Sequence, residues 1–105
     1  MTWRIEEYRT DTGETPVRIF IAGLPPDAKA EAEPHSKALG HGLFELRRDQ
    51  VRLFYVFEPG QLIRLLGGMV KKQDRIPADV LSQMRLRQTD VRERLKKAKA
   101  EKKRR

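Results

Sequence analysis

The chain has 105 residues, with 23 Lys and Arg against 15 Asp and Glu, a formal net charge of +8 and no cysteine. That length suits one domain with one modest core. The absence of cysteine excludes a disulfide framework and thiolate chemistry, and no apolar run approaches the roughly 20 residues of a membrane span. Basicity points to nucleic acid, the ribosome, an anionic membrane or an acidic partner, and chooses none of them.

Residues 2–8, Thr-Trp-Arg-Ile-Glu-Glu-Tyr, alternate loosely and read as a first strand; no apolar signal segment precedes them. Thr10 to Glu14 is a polar turn containing Gly13. Thr15-Pro16 marks a helix start, with Thr as N-cap and Pro at the first helical position. Val17, Phe20, Ile21 and Leu24 have the spacing of one helical face, and Gly23 with Pro25-Pro26 ends the helix. Residues 27–33 favour helix by propensity but offer only alanine for burial, and residues 34–41 read as a loop.

Residues 42–57 read as two strands joined by an Asp49-Gln50 turn. This register sets Arg48 opposite Val51, Arg47 opposite Arg52, Leu46 opposite Leu53, Glu45 opposite Phe54 and Phe44 opposite Tyr55. Phe44, Leu46, Leu53 and Tyr55 then share the face expected to be buried. Glu45, Arg47, Arg52, Phe54 and Val56 share the other. Like charges directly opposite are destabilising by roughly 0.2–1 kcal/mol, so an anion held between the two guanidiniums would account for the pair. The alternative is that both side chains splay into water with no anion between them.

Glu58-Pro59-Gly60-Gln61 is a turn, and residues 62–70 are a further strand. Pairing 58 with 61 sets Leu62 against Phe57, Leu66 against Leu53 and Gly67 against Arg52. Met69 and Lys71 follow on the arginine face, or Lys72 if Gly67-Gly68 forms a bulge. Arg64 falls on the expected core face. Pro77 opens a last helix with Val80, Met84, Val91 and Leu95 on one stripe. Residues 1–95 make one domain, and residues 96–105 a basic tail.

His35 and His41 stand without cysteines or a metal-ligand spacing, so neither a metal nor a cofactor is expected. No phosphate-binding glycine loop and no serine or cysteine triad is recognisable. What remains is a cationic set, Lys37, Arg47, Arg52, Lys71 and Lys72, with Phe54 and Tyr55 nearby. Arginines clamp phosphate, aromatics stack unpaired bases, and a lysine crowded by cations can accept a proton. RNA cleavage needs a base, charge stabilisation at the phosphate and an acid. The set answers the middle need; a basic RNA-facing surface without chemistry answers the same pattern.

Three segments carry a resemblance: Leu39-Gly40-His41-Gly42-Leu43-Phe44-Glu45-Leu46-Arg47, Val51-Arg52-Leu53-Phe54-Tyr55, and Gly67-Gly68-Met69-Val70-Lys71-Lys72-Gln73 followed by Ile76-Pro77. With the upstream Pro16-Val17-Arg18-Ile19-Phe20-Ile21, the chain resembles the RelE/HigB toxins, in their phage-derived HigB-like branch, over most of residues 3–95. The resemblance implies an α+β, microbial-ribonuclease-like fold. An antiparallel sheet of about four strands would carry an N-terminal and a C-terminal helix, with the usual helical hairpin after Leu24-Pro25-Pro26 shortened. It implies a cytoplasmic, ribosome-dependent mRNA endoribonuclease, the toxin of a type II toxin–antitoxin pair. Its partners would be mRNA, the ribosome and a cognate antitoxin of helix-turn-helix type. Arg52 matches the family's phosphate-contacting arginine, Arg47 ends the Glu-Leu-Arg motif, and Lys71, with Lys72 as its rival, matches the basic residue at the end of the last strand, completing a catalytic set. Lys37, Lys72, Phe54, Lys96 and Lys97 are the RNA-binding candidates. The alternatives are an inactive relative that binds antitoxin or RNA, and a ParE-like gyrase inhibitor.

Overall fold

The computed structural model describes residues 3–24, 35–48, 50–70 and 75–103. The elements are β1 (Arg4–Glu7), α1 (Pro16–Ala22), β2 (His35–Gly40), β3 (Leu43–Arg48), β4 (Val51–Glu58), β5 (Leu62–Val70) and α2 (Ala78–Lys103). The five strands form one sheet in the order β1-β5-β4-β3-β2. The class is α+β, as expected. The sheet has five strands rather than about four, and it is mixed: β1 runs parallel to β5, with Arg4 beside Leu62 and Glu7 beside Leu65.

The fifth strand is the segment read as a loop. Gly40 pairs with Leu43, so His41-Gly42 is a two-residue hairpin turn. Both turn residues have positive φ, 54° and 84°. Two left-handed central residues make the turn whose twist matches the flanking strands. A mostly polar and small composition, His-Ser-Lys-Ala-Leu-Gly, hid β2, and the His-Gly turn was its signal.

The β3–β4 register is the expected one at every pair, including Arg47 opposite Arg52. The β4–β5 register differs by one residue. Glu58 pairs with Leu62, so Pro59, Gly60 and Gln61 form a three-residue loop, with Gly60 and Gln61 left-handed. A bulge then sets Tyr55 opposite Leu65 and Phe54 opposite Gly67. Leu66 is the extra residue and turns into the core, fully buried. Met69, not Gly67, therefore opposes Arg52.

The core lies on the opposite face from the one expected. Leu43, Phe54, Val56 and Leu66 pack with Tyr8, Met84 and Val91, flanked by Val80, Leu81 and Leu95. The α2 stripe read from the sequence is the lid of this core, and it covers the face that carries Glu45, Arg47 and Arg52. Parity sorted the residues into two faces correctly; which face α2 would cross is a tertiary choice that alternation does not encode. Arg64 also sits on the α2 face, opposite Val56, where it is ion-paired with Glu58 and lies 3.1 Å from Glu6.

On the other face, α1 packs against β5. Val17 is fully buried, and a Cβ added at Gly68 would stand 2.5 Å from the Phe20 ring. Thr15 takes the N-cap position with extended backbone, but its side chain makes no capping bond. Its carbonyl accepts the Ile19 N–H at 3.2 Å. Ile21, placed on the buried stripe by spacing, is 43% exposed. At the C-terminus the helix continues through the residues read as a tail, to Lys103. The expected helical segment 27–33 lies outside the described residues.

Candidate functional site

Two adjacent cross-strand rows bring the cations together. One row is His35, Arg47, Arg52 and Met69; the next is Lys37, Glu45, Phe54 and Gly67. Side chains directly opposite one another share a face. Lys37 is thus a strand residue beside Glu45, not a loop residue. The pleat places it on the same face as Arg47 and Arg52.

The anion between the two arginines is the chain's own. Glu45 Oε1 accepts a hydrogen bond from Arg47 Nε, and Arg52 Nε lies 3.7 Å from the same oxygen. Glu45 is fully buried and Arg52 is 7% exposed, whereas the Arg47 side chain is 35% exposed. Arg52 Nη1 also donates to the Val51 carbonyl at 2.9 Å. The second carboxylate oxygen of Glu45, Oε2, is buried and has no hydrogen-bond partner among the described residues. A strand pair that sets arginine against arginine is tolerable here because a carboxylate two residues upstream shares their face.

Phe54 is a core residue. Its ring is sealed under α2, so the expectation that it stacks a base is corrected: it has no surface to offer. Tyr55, expected in the core, is buried on the opposite face, hydrogen-bonded to Ser36 and stacked on Phe44 with ring centroids 5.5 Å apart. Lys71 and Lys72 lie outside the described residues. Lys96 and Lys97 are exposed on the far half of α2, and Lys96 lies 3.6 Å from Glu93. They are separated in the fold from the arginine pair, because α2 is anchored between them: Arg85 donates to the Leu39 and Gly40 carbonyls at 2.9 and 2.8 Å, and Gln88 to the His41 carbonyl at 2.7 Å.

Glu45 is the functional candidate that sequence reasoning did not single out. Its signal was present: a glutamate two residues before Arg47 shares that arginine's strand face. What the strand pattern lacked was the knowledge that this face is buried, where a carboxylate needs cations.

A cleft of about 540 Å³ opens at the opposite end of the sheet, lined by Glu6, Tyr8, Arg18, Glu58, Arg64 and Arg94 among others. Three of its arginines are already matched, Arg18 with Glu7, Arg64 with Glu58 and Glu6, and Arg94 with Asp90 and Asp11, and Arg9 lines it as well. Most of its cationic charge is therefore already compensated. Burial raises the Tyr8 phenol there, helped by its 2.7 Å hydrogen bond to Asp90. Burial lowers the Arg87 guanidinium, which donates to the Leu66 carbonyl at 2.9 Å. Among the described residues no cluster of His, Asp and Glu could hold a metal ion, and no helix is long and apolar enough to cross a membrane.

A family model described as phage derived protein Gp49-like (DUF891) matches residues 24–89, from the end of α1 through the arginine rows and into α2. No curated protein matches the chain.

Proposed function

Since the chain belongs to the phage-derived Gp49-like family, a toxin-like family, we propose that it is the toxin of a type II toxin–antitoxin pair and acts as a ribosome-dependent mRNA endoribonuclease. The observation that carries this reading is the convergence of Arg47, Arg52 and Lys37 on two adjacent rows of one sheet face. Arg47, the most accessible guanidinium of the pair, makes the first contact with the scissile phosphate. Arg52 stands behind it and adds charge stabilisation, the largest single term in transfer reactions of this kind. Lys71 or Lys72 follows Met69 and Val70 in sequence and completes the cationic set. A cognate antitoxin of helix-turn-helix type neutralises the protein.

Primer extension on mRNA in a bacterial translation extract tests the reading directly. Wild type should produce cuts within codons only on translated messages, and Arg47→Ala should abolish them while remaining folded. Cuts that persist in Arg47→Ala, or that need no ribosome, would sink the assignment.

A second reading has its own support. Arg52 is nearly sealed and Glu45 already occupies the arginine pair. A protein that binds antitoxin or RNA and cuts nothing would fit this arrangement. Folded wild-type protein that arrests no translation and yields no cuts would establish that reading instead.

A further inference from the structure

Buried carboxylates are rarely cheap. Replacing a buried ion pair with well-packed apolar residues is often neutral or stabilising, so stability alone does not explain why one is present. Glu45 is an extreme case: it is fully buried, one of its oxygens serves two arginines, and the other is a buried acceptor with no partner among the described residues. An unsatisfied buried acceptor forfeits its hydration without a hydrogen bond in return. A methionine or leucine at position 45 would fill the space between Leu43 and Phe54 without that cost, at the loss of whatever the charge does.

The geometry says what the charge is positioned to do. Glu45 engages Arg47 through Nε, and the Arg47 terminal nitrogens have no hydrogen bond among the described residues. Arg47 also reaches solvent, so the pair is open to an external anion from one side. A phosphate arriving there meets two guanidiniums whose charge is partly spent on the internal carboxylate. It must either draw the arginines off Oε1 or bind beside a fixed negative charge. Both routes weaken its binding relative to an uncompensated arginine pair.

We infer that Glu45 is a built-in competitor for the phosphate at the Arg47–Arg52 pair, a positioning residue that holds both guanidiniums when no ligand is present and sets how tightly a phosphate is taken. The inference rests on the phosphate-binding part of the proposed function and not on cleavage. It has a sign that a purely structural glutamate does not share. Removing a structural counter-charge loosens the arginines and weakens phosphate binding; removing a competitor strengthens it.

The probe is inorganic phosphate, titrated into full-length protein at constant ionic strength, with chloride replacing it in the control. Glu45→Gln keeps the shape of the side chain and removes its charge. It should bind phosphate about tenfold more tightly than wild type, the effect expected for one nearby like charge in a partly solvated site. Adding Arg47→Ala to Glu45→Gln should abolish the gain. In wild type, phosphate should shift the Glu45 side-chain carboxyl ¹³C resonance together with the Arg47 Nε–H resonance. That second measurement needs no variant and decides the matter if Glu45→Gln fails to fold. Equal or weaker phosphate binding by folded Glu45→Gln overturns the inference. So does a wild-type titration that moves Arg47 and leaves the Glu45 carboxyl unmoved. Phosphate exchange in a protein that cuts no RNA would remove the nuclease and keep the competitor; cutting with an indifferent Glu45 would do the reverse.

Discussion

The two faces of the sheet invert the usual relation between composition and burial. The inner face holds Glu45, Arg47 and Arg52 beside Leu43, Phe54 and Val56, and α2 seals most of it. The outer face is the more aromatic one. Phe44, Tyr55 and Phe57 form a continuous set of ring contacts there, extended by Trp3 with centroids 5.5 Å from Phe57. Its end is nevertheless open: Trp3, Ile5 and Phe57 are 50%, 65% and 47% exposed. Burial in this protein follows from where α2 crosses, not from which face has more apolar side chains. The consequence for function is that the charged rows lie in a partly desolvated setting. Charges there interact more strongly than on an open surface, and each one needs a partner.

Large-to-small changes should expose this inversion most sharply. Phe54→Ala, on the charged face, should cost about 3–5 kcal/mol in denaturant unfolding because it leaves a cavity under α2. Phe57→Ala, on the aromatic face, should cost about 1 kcal/mol or less, since half of the ring is already in water. Comparable losses at the two sites would mean that the outer face is as well packed as the inner.

Arg47→Ala separates function from stability on the inner face. It should lower mRNA cleavage by about a hundredfold or more, in protein that stays folded despite an unfolding cost of about 3 kcal/mol from leaving buried Glu45 with Arg52 alone. A variant that lost activity only by unfolding would remove the argument for a contact with RNA.

Gly68→Ala tests a place where α1 closes on the outer face. Its new Cβ would meet the Phe20 ring at 2.5 Å and the Arg52 carbonyl at 2.8 Å. We expect a loss of about 1–3 kcal/mol from overpacking, read by thermal unfolding, and a concomitant shift in the Arg52 environment. Tolerance of the alanine would show that α1 can move away at little cost.

Tyr8→Phe gives a small effect and carries a pH signature. The Tyr8 hydroxyl ties β1's end to α2 through Asp90, and its loss should cost about 1 kcal/mol at neutral pH. The folded-state phenol is raised above its ordinary value of 10.0. Its contribution is therefore fully present below pH 10.0 and declines as pH rises through the folded-state value. Wild type should lose stability across that alkaline window more steeply than Tyr8→Phe. Parallel curves would place the phenol in water rather than against Asp90.

Much of this was legible in one dimension. Period-two alternation and a tight turn determine the β3–β4 register, because one residue of slip would move every side chain to the wrong face. Alternation therefore sets Glu45, Arg47 and Arg52 on one face. The stripe Val80, Met84, Val91, Leu95 determined a helix with one buried side, and the Thr-Pro pair located the start of α1. Other features depended on pairings distant in sequence. The parallel seat of β1 against β5, and the strand character of Lys37, both come from hydrogen bonds that local composition does not report. The Leu66 bulge arises from a three-residue loop and two helices that close on Gly67 and Gly68, so alternation alone misplaced Gly67 by one row. Above all, the sequence determined that the two arginines face each other, and only the tertiary structure decided what lies between them. Once α2 had crossed the charged face, water was withdrawn, and the nearest carboxylate, Glu45, became the anion that the pair requires.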